Sequence, residues 1–226
     1  MYHYYMFNKP VGCVTARTDD RYPTVMDYFK ELHNEKLSPV GRLDLETEGL
    51  LIITDDGAWN QLMTRPEYKK EKCYEFFVLG ELTEEKKHML EQGVEVIGSD
   101  KLTAPAKLEL EGFLELASVL PELPEVLRQK YAHNRPFHPV TKGKIIITEG
   151  RKRQIRRMMK AVGCLVIYLK RISMGDIVLD PALAPGEWKE IEINNRLGEE
   201  YWNEKRKSYT FGKGMGQGSQ SGTGIS

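Results

Sequence analysis

The chain is patterned as an α+β domain on a mixed, mainly antiparallel sheet with short flanking helices. Three observations predict this. Apolar, β-branched runs of strand length recur between turn signals, as in Leu50-Leu51-Ile52-Ile53-Thr54 and Lys144-Ile145-Ile146-Ile147-Thr148. Helical periodicity, with apolar residues at i, i+3, i+4 and i+7, appears only in short stretches. An apolar fraction of 40% over 226 residues is enough to bury a sizeable core.

Tyr4-Tyr5-Met6-Phe7 reads as a first strand stopped by the turn Asn8-Lys9-Pro10-Val11-Gly12. After a charged loop from Arg17 to Arg21, Val25, Tyr28, Phe29 and Leu32 form one apolar stripe and predict a short helix. The strand Leu50 to Thr54 ends at Asp55-Asp56-Gly57, and one or two helical turns over 58–63 are stopped by Arg65-Pro66. Residues 67–72 are too charged for a core and are expected on the surface. Cys73 to Gly80 is the next strand, with Tyr74 where it emerges. Thr83 caps a helix whose first turn holds Glu84 and Glu85, and Gly93 is expected to close it in a left-handed conformation. Lys107 to Glu111 alternates strictly, as a half-exposed strand does.

From Gly112 to Lys142 four prolines break the pattern, leaving room for a short helix over 122–131, and the segment is expected to be an excursion from the core. Lys144 to Thr148, Cys164 to Leu169 and Ile177 to Leu179 complete the strands. Past Trp202 come Lys205-Arg206-Lys207 and a Gly/Ser-rich run, so residues 204–226 are predicted to be a disordered tail.

The 33 basic and 33 acidic residues cancel, so any nucleic-acid argument rests on local clustering. Cys13, Cys73 and Cys164 are odd in number and far apart, which suggests neither a disulfide framework nor a zinc site and fits a reducing cytoplasm. The N-terminus lacks a signal pattern, and no apolar run approaches the ~18 residues a membrane span needs.

Two stretches carry chemistry. In Gly41-Arg42-Leu43-Asp44-Leu45-Glu46-Thr47-Glu48-Gly49-Leu50-Leu51, polar and glycine residues interrupt two apolar segments. In an extended conformation Arg42 and Asp44 share a face. Residue types alone also admit a surface loop with an exposed ion pair. In the second stretch, Gly150 to Gly163, Ile155, Met158, Met159 and Val162 make one helical stripe. Arg153, Arg157 and Lys160 cluster opposite, and Arg156 lies on the flank. No acidic residue lies between Gly150 and Lys170, so these cations lack helical partners and phosphate is the anion that suits them. Arg156 is placed to meet a buried carboxylate and keep it ionised at neutral pH.

Gly41-Arg42-Leu43-Asp44 with Thr47 and Gly49-Leu50-Leu51, Lys72 with Tyr74, and Gly150-Arg151, Arg153-Gln154, Arg156-Arg157-Met158 resemble three motifs in the same order. They belong to the pseudouridine synthases that modify ribosomal RNA, the group of the small-subunit enzyme A and the large-subunit enzymes B, E and F. The resemblance spans about residues 4 to 192, with lysine at 152 where the family often has asparagine.

It implies a bilobed fold with a central cleft over residues 1–203, without the small extra RNA-binding domain many members carry, since the chain begins close to its Asn-Lys-Pro turn. Asp44 takes the catalytic role, Arg156 pairs with it, and Tyr74 packs on the target base. Arg42 fills the vacated stack or holds the displaced strand. Arg151, Lys152, Arg153, Arg157 and Lys160 bind phosphates. The implied reaction detaches uracil from C1′ of ribose, turns it and rejoins it through C5, after extrusion of the nucleotide at roughly a few kcal/mol. No metal or organic cofactor is implied.

The expected partner is ribosomal RNA or a precursor of a ribosomal subunit, with a monomeric enzyme and no membrane. The spellings Met174-Gly175-Asp176 and Gly186-Glu187-Trp188 look closest to the large-subunit synthase E, hence 23S RNA. Two other classes stay open: a non-catalytic RNA-binding or ribosome assembly protein, and a glycosidase, for which Glu46 or Glu48 is the nominal second carboxylate.

Overall fold

The computed structural model describes residues 2–193; the predicted tail over 204–226 and the last residues of the predicted domain lie outside them. Strand β1 (Tyr4–Lys9) runs two residues past its expected end. The helix over Val25–Leu32 is of the 3-10 type, started by a capping box in which Thr24 and Asp27 bond each other's backbone. A two-residue strand β2 (Ser38–Pro39) precedes β3 (Glu48–Thr54). Helix α1 (Gly57–Thr64) starts at Asp56, whose carboxylate accepts from the amides of Ala58 and Trp59.

Strand β4 is Lys72–Leu79, so Lys72, expected on the surface, is half-buried at the strand's start. Helix α2 (Glu84–Gln92) is capped by Thr83 as expected. Gly93 does take a positive φ of 97°, but its ψ of 141° is extended rather than left-handed helical. There follow β5 (Lys107–Glu115), α3 (Leu116–Val119), α4 (Glu125–Tyr131), β6 (Pro139–Ile147), α5 (Gln154–Ala161), β7 (Leu165–Met174), β8 (Ile177–Val178) and β9 (Trp188–Glu190).

The described strands form one mixed sheet in the order β5-β6-β4-β7-β3-β1-β9, with β2 on β3 and β8 on β7. All pairings are antiparallel except β3 with β7, which meet through Glu48↔Lys170 and Gly49↔Arg171. That short parallel joint links the two halves of the sheet. Strand β7 bulges twice against β4, at Ile167 and Ile172, and the second bulge brings Arg171 opposite Tyr74.

One sheet face carries Phe7, Leu51, Ile53, Tyr74, Phe76, Val78 and Leu169 and is covered by α2, α5 and the Val25–Leu32 helix. On the other face Phe77, Leu79, Val140 and Ile167 pack against Leu116, Val119, Leu123, Leu127 and Tyr131. The segment expected as an excursion from the core therefore builds a second core. Pro121 and Pro124 stand at the starts of helical turns and Pro139 opens β6, positions where a missing N–H costs little. No described helix is long and apolar enough to cross a membrane.

Candidate active site

Asp44 sits in the loop that leads into β3, half-buried, in a turn closed by the Thr47 amide on its own carbonyl at 3.0 Å. Its carboxylate has no hydrogen bond or ion pair among the described residues. It lines a cleft of about 390 Å³ whose other walls come from β4, β6, β7 and the start of α5. That is within the range of ligand-binding cavities. Tyr74, 7% exposed, lies on the floor. Beside it are Leu169, Ile147, Ile155 and Met174, an apolar slot of the kind that accepts a planar base.

The loop is clamped from below by Lys9. Fully buried, it donates from Nζ to the carbonyls of Pro10 and Thr47, both at 2.9 Å. Burial pushes its ammonium down to about 8, against the pull of Cys13, Asp44 and Glu48. The unfolded chain keeps this proton up to about 10.5, so between about 8 and 10.5 it holds more protons than the folded state. Lys9 therefore makes stability rise with pH across that window. The wild type is expected to gain stability relative to Lys9→Met between pH 7.5 and pH 10 in urea unfolding. A gap that does not change with pH would refute the shift.

Arg156 does not make the direct pair with Asp44 that the sequence suggested. Its Nη2 donates to the Glu46 carbonyl at 2.9 Å, its Nη1 donates to the Val166 carbonyl at 3.1 Å, and the Glu46 carboxylate lies 3.7 Å away. Burial lowers its pKa, while Glu46, Asp44 and Tyr131 pull it back up. From the flank of α5 the guanidinium reaches the Glu46 carbonyl of the loop and the Val166 carbonyl of β7 rather than the Asp44 carboxylate, so it lies near Asp44 without a contact. Glu46 also binds Lys130 of α4. Burial opposes Glu46's ionisation, but Lys130, Arg156 and Arg153 together hold its carboxyl below the usual range.

The predicted phosphate-binding cations divide into groups. Arg42, Lys152 and Arg153 are exposed on the cleft wall, Arg153 in a left-handed conformation at the start of α5. Arg151 also lines the cleft, but its guanidinium bonds the Glu149 carboxylate, the Ser99 hydroxyl and the carbonyls of Lys101 and Leu102. Arg157 is turned onto the carbonyls of Ile97 and Lys152. These two arginines hold the 97–102 loop, so the sequence reading of them as unpartnered is corrected: Arg151 has the Glu149 carboxylate as well as backbone carbonyls, and Arg157 has carbonyls alone. Arg157 and the exposed Lys160 do not line the cleft.

Glu46 and Glu48 do not line it either. Glu48 is buried against Lys170 at 3.3 Å and accepts from the Tyr168 hydroxyl at 3.2 Å. The one glutamate in the cleft wall, Glu149, accepts from Ala104, Arg151 and Gln154. No carboxylate is thus left free opposite Asp44 among the described residues, which removes the basis for a glycosidase. Sequence reasoning passed over Lys9, Glu46 as a clamp, and Arg171, which is fully buried yet lines the cleft. The signal for the last was a charged pair, Lys170-Arg171, inside an otherwise apolar strand.

Residues 3–161 match the family model described as RNA pseudouridylate synthase. The chain belongs to that family. As an RNA pseudouridylate synthase it is 37% identical over 190 residues to an RNA pseudouridine synthase of Bacillus subtilis, covering 83% of this chain and 69% of that one. It is 34% identical over 188 residues to the ribosomal small subunit pseudouridine synthase A of Escherichia coli, covering 83% and 70%. A crystal structure of a pseudouridylate synthase superposes with a TM-score of 0.69 at 32% identity, covering 88% of this synthase and 73% of that chain. The fold expected from the strand-rich pattern, α+β on a mixed and mostly antiparallel sheet, is the fold of this family.

Proposed function

We propose that the chain converts a uridine of ribosomal RNA into pseudouridine, with Asp44 acting on the ribose of an extruded nucleotide and Tyr74 stacking on its base. The observation that carries this reading is a carboxylate without an internal partner, opening into an apolar slot floored by an aromatic ring. Such a group is available to attack C1′ or to take a ribose proton. Arg156 and Lys9 act on it as nearby positive charges and as clamps on its loop. Arg42, Lys152 and Arg153 meet the RNA backbone, and the protein works in the cytoplasm as a monomer.

The spellings at 174–176 and 186–188 favour RNA of the large subunit and the synthase E branch. The names of the small-subunit relatives favour the other RNA. Incubating the protein with unmodified RNA of both subunits, then mapping pseudouridine by carbodiimide labelling and primer extension, decides between them. No new stop on either RNA, naked or in subunits, would leave an RNA-binding protein.

The division among the cations has its own test. Arg153→Gln is expected to flatten the salt dependence of RNA binding by about one unit of log K against log salt. Arg151→Gln is expected to leave that slope unchanged and to lower stability, because its charge-assisted bonds to the 97–102 loop are lost. Filter binding over a salt series measures the first effect and urea unfolding the second. The reverse pattern would return Arg151 to the RNA interface.

A further inference from the structure

Arg171 has no place yet in this chemistry. It is 2% exposed, and its Nε donates to the Leu50 carbonyl at 2.8 Å. Its Nη2 is buried without a hydrogen-bond partner, and no carboxylate is within ion-pair distance among the described residues. A buried, unpaired guanidinium edge is costly to keep. Yet this one lines the cleft, and Lys72 stands near it as a second half-buried cation. Burial, and then Arg171 itself, push Lys72 below the usual lysine range. Two positive groups without an acid between them make a floor that awaits negative charge.

The sheet register says which part of a substrate that floor would meet. Arg171 is the direct cross-strand neighbour of Tyr74, on the same sheet face. Whatever stacks on the Tyr74 ring therefore presents an edge to the guanidinium. The exposed Lys152 and Arg153 serve phosphates at the rim, whereas Arg171 lies deep, among Leu169, Ile147 and Met174.

We propose that Arg171 is a catalytic residue that holds the detached uracil, its free Nη2 edge donating to a carbonyl oxygen of the base. The inference rests on the reading of the chain as a uridine isomerase. When the C1′–N1 bond breaks, its electron pair leaves with N1, and the base departs as an anion whose charge is shared among N1, O2 and O4. C1′ is satisfied by a bond from the Asp44 carboxylate, or by loss of the C2′ proton to that carboxylate. When C5 bonds C1′, the carboxylate is displaced or the C2′ proton returned; the C5 proton is lost and N1 gains one. Nothing is added overall, and the negative charge exists only in between. A fixed donor aimed at it stabilises the step rather than the bound substrate, and it keeps the free base from escaping while it turns.

The test compares wild type, Arg171→Met and Arg171→Lys on RNA carrying uridine or 5-fluorouridine at the target position. Fluorine makes N1 more acidic, so that base carries its own charge better. With uridine, the single-turnover rate of Arg171→Met is expected to fall by about a hundredfold or more, while RNA affinity stays within about threefold. With 5-fluorouridine the loss in consumption of the target nucleotide is expected to shrink below about tenfold. Arg171→Lys should fall between, and it stands in if circular dichroism shows the methionine variant unfolded. An equal loss on both RNAs, a loss of affinity instead of rate, or no loss would overturn the proposal. A wild type that makes no pseudouridine would instead overturn the function on which it rests.

Discussion

Asp44→Asn is expected to abolish pseudouridine formation and to leave the fold and RNA affinity in place. Attack on C1′ and removal of a ribose proton both need an ionised carboxylate, and an amide of the same shape supplies neither. The single-turnover rate should drop at least about a thousandfold, some 4 kcal/mol of lost transition-state stabilisation. The fold has little stake in the group, since no described residue bonds the carboxylate and its loop is held through backbone carbonyls by Lys9 and Arg156. Unfolding free energy should therefore change by less than about 1 kcal/mol, and RNA affinity, which the proposed function assigns to the rim cations, should be unaltered. Urea unfolding, filter binding and primer extension on the same preparation separate the three effects. An asparagine variant that still makes pseudouridine would take Asp44 out of the mechanism and leave the cleft as a binding site.

Much of this was readable from local pattern. Leu50 to Thr54 and Lys144 to Ile147 are strands because a run of β-branched residues with turn signals beyond it has few other solutions; the first is buried throughout, while the second starts earlier, at Pro139, and buries Ile145 and Ile147 with Lys144 and Ile146 half-buried between. The loop around Asp44 announced itself by interrupting such runs. What was hidden depended on partners distant in sequence. The cations at and before α5 looked unpaired because only carboxylates after Gly150 were counted, whereas Arg151 is satisfied by Glu149 just before it and by carbonyls about fifty positions away. Arg171 gains its meaning from a bulge in β7 that sets it against Tyr74, and no periodicity encodes a bulge. The 112–142 segment was misjudged for a different reason. Leu116, Val119, Leu123, Leu127 and Tyr131 do lie on one side of the sheet, but the stripe is divided among α3, α4 and the connection that holds Leu123, each piece too brief to register as a period.

The largest loss of stability is expected at Gly49. Its φ of 107° is open to glycine and strained for other residues. A Cβ built there would overlap the backbone of Arg171, and backbone in a paired strand cannot swing aside as a side chain can. The clash falls on the short parallel joint, Glu48↔Lys170 and Gly49↔Arg171, that connects the two halves of the sheet. Gly49→Val should therefore cost upwards of about 3 kcal/mol, a large part of the roughly 5 to 15 that hold a domain together. Gly57, which has open space around its Cβ position and lies in the first turn of α1, is the control. Gly57→Ala should be neutral or stabilise by up to about 1 kcal/mol. Urea midpoints for the two variants should move in different directions or by very different amounts. Strand β3 leaves the Asp44 loop just before this joint, and Arg171 is fixed by it, so whatever fraction of Gly49→Val remains folded should also turn over slowly. If its midpoint matched the wild type, the two sheet halves would not depend on this contact, and the account of how Asp44 and Arg171 come to face one cleft would have to be rebuilt.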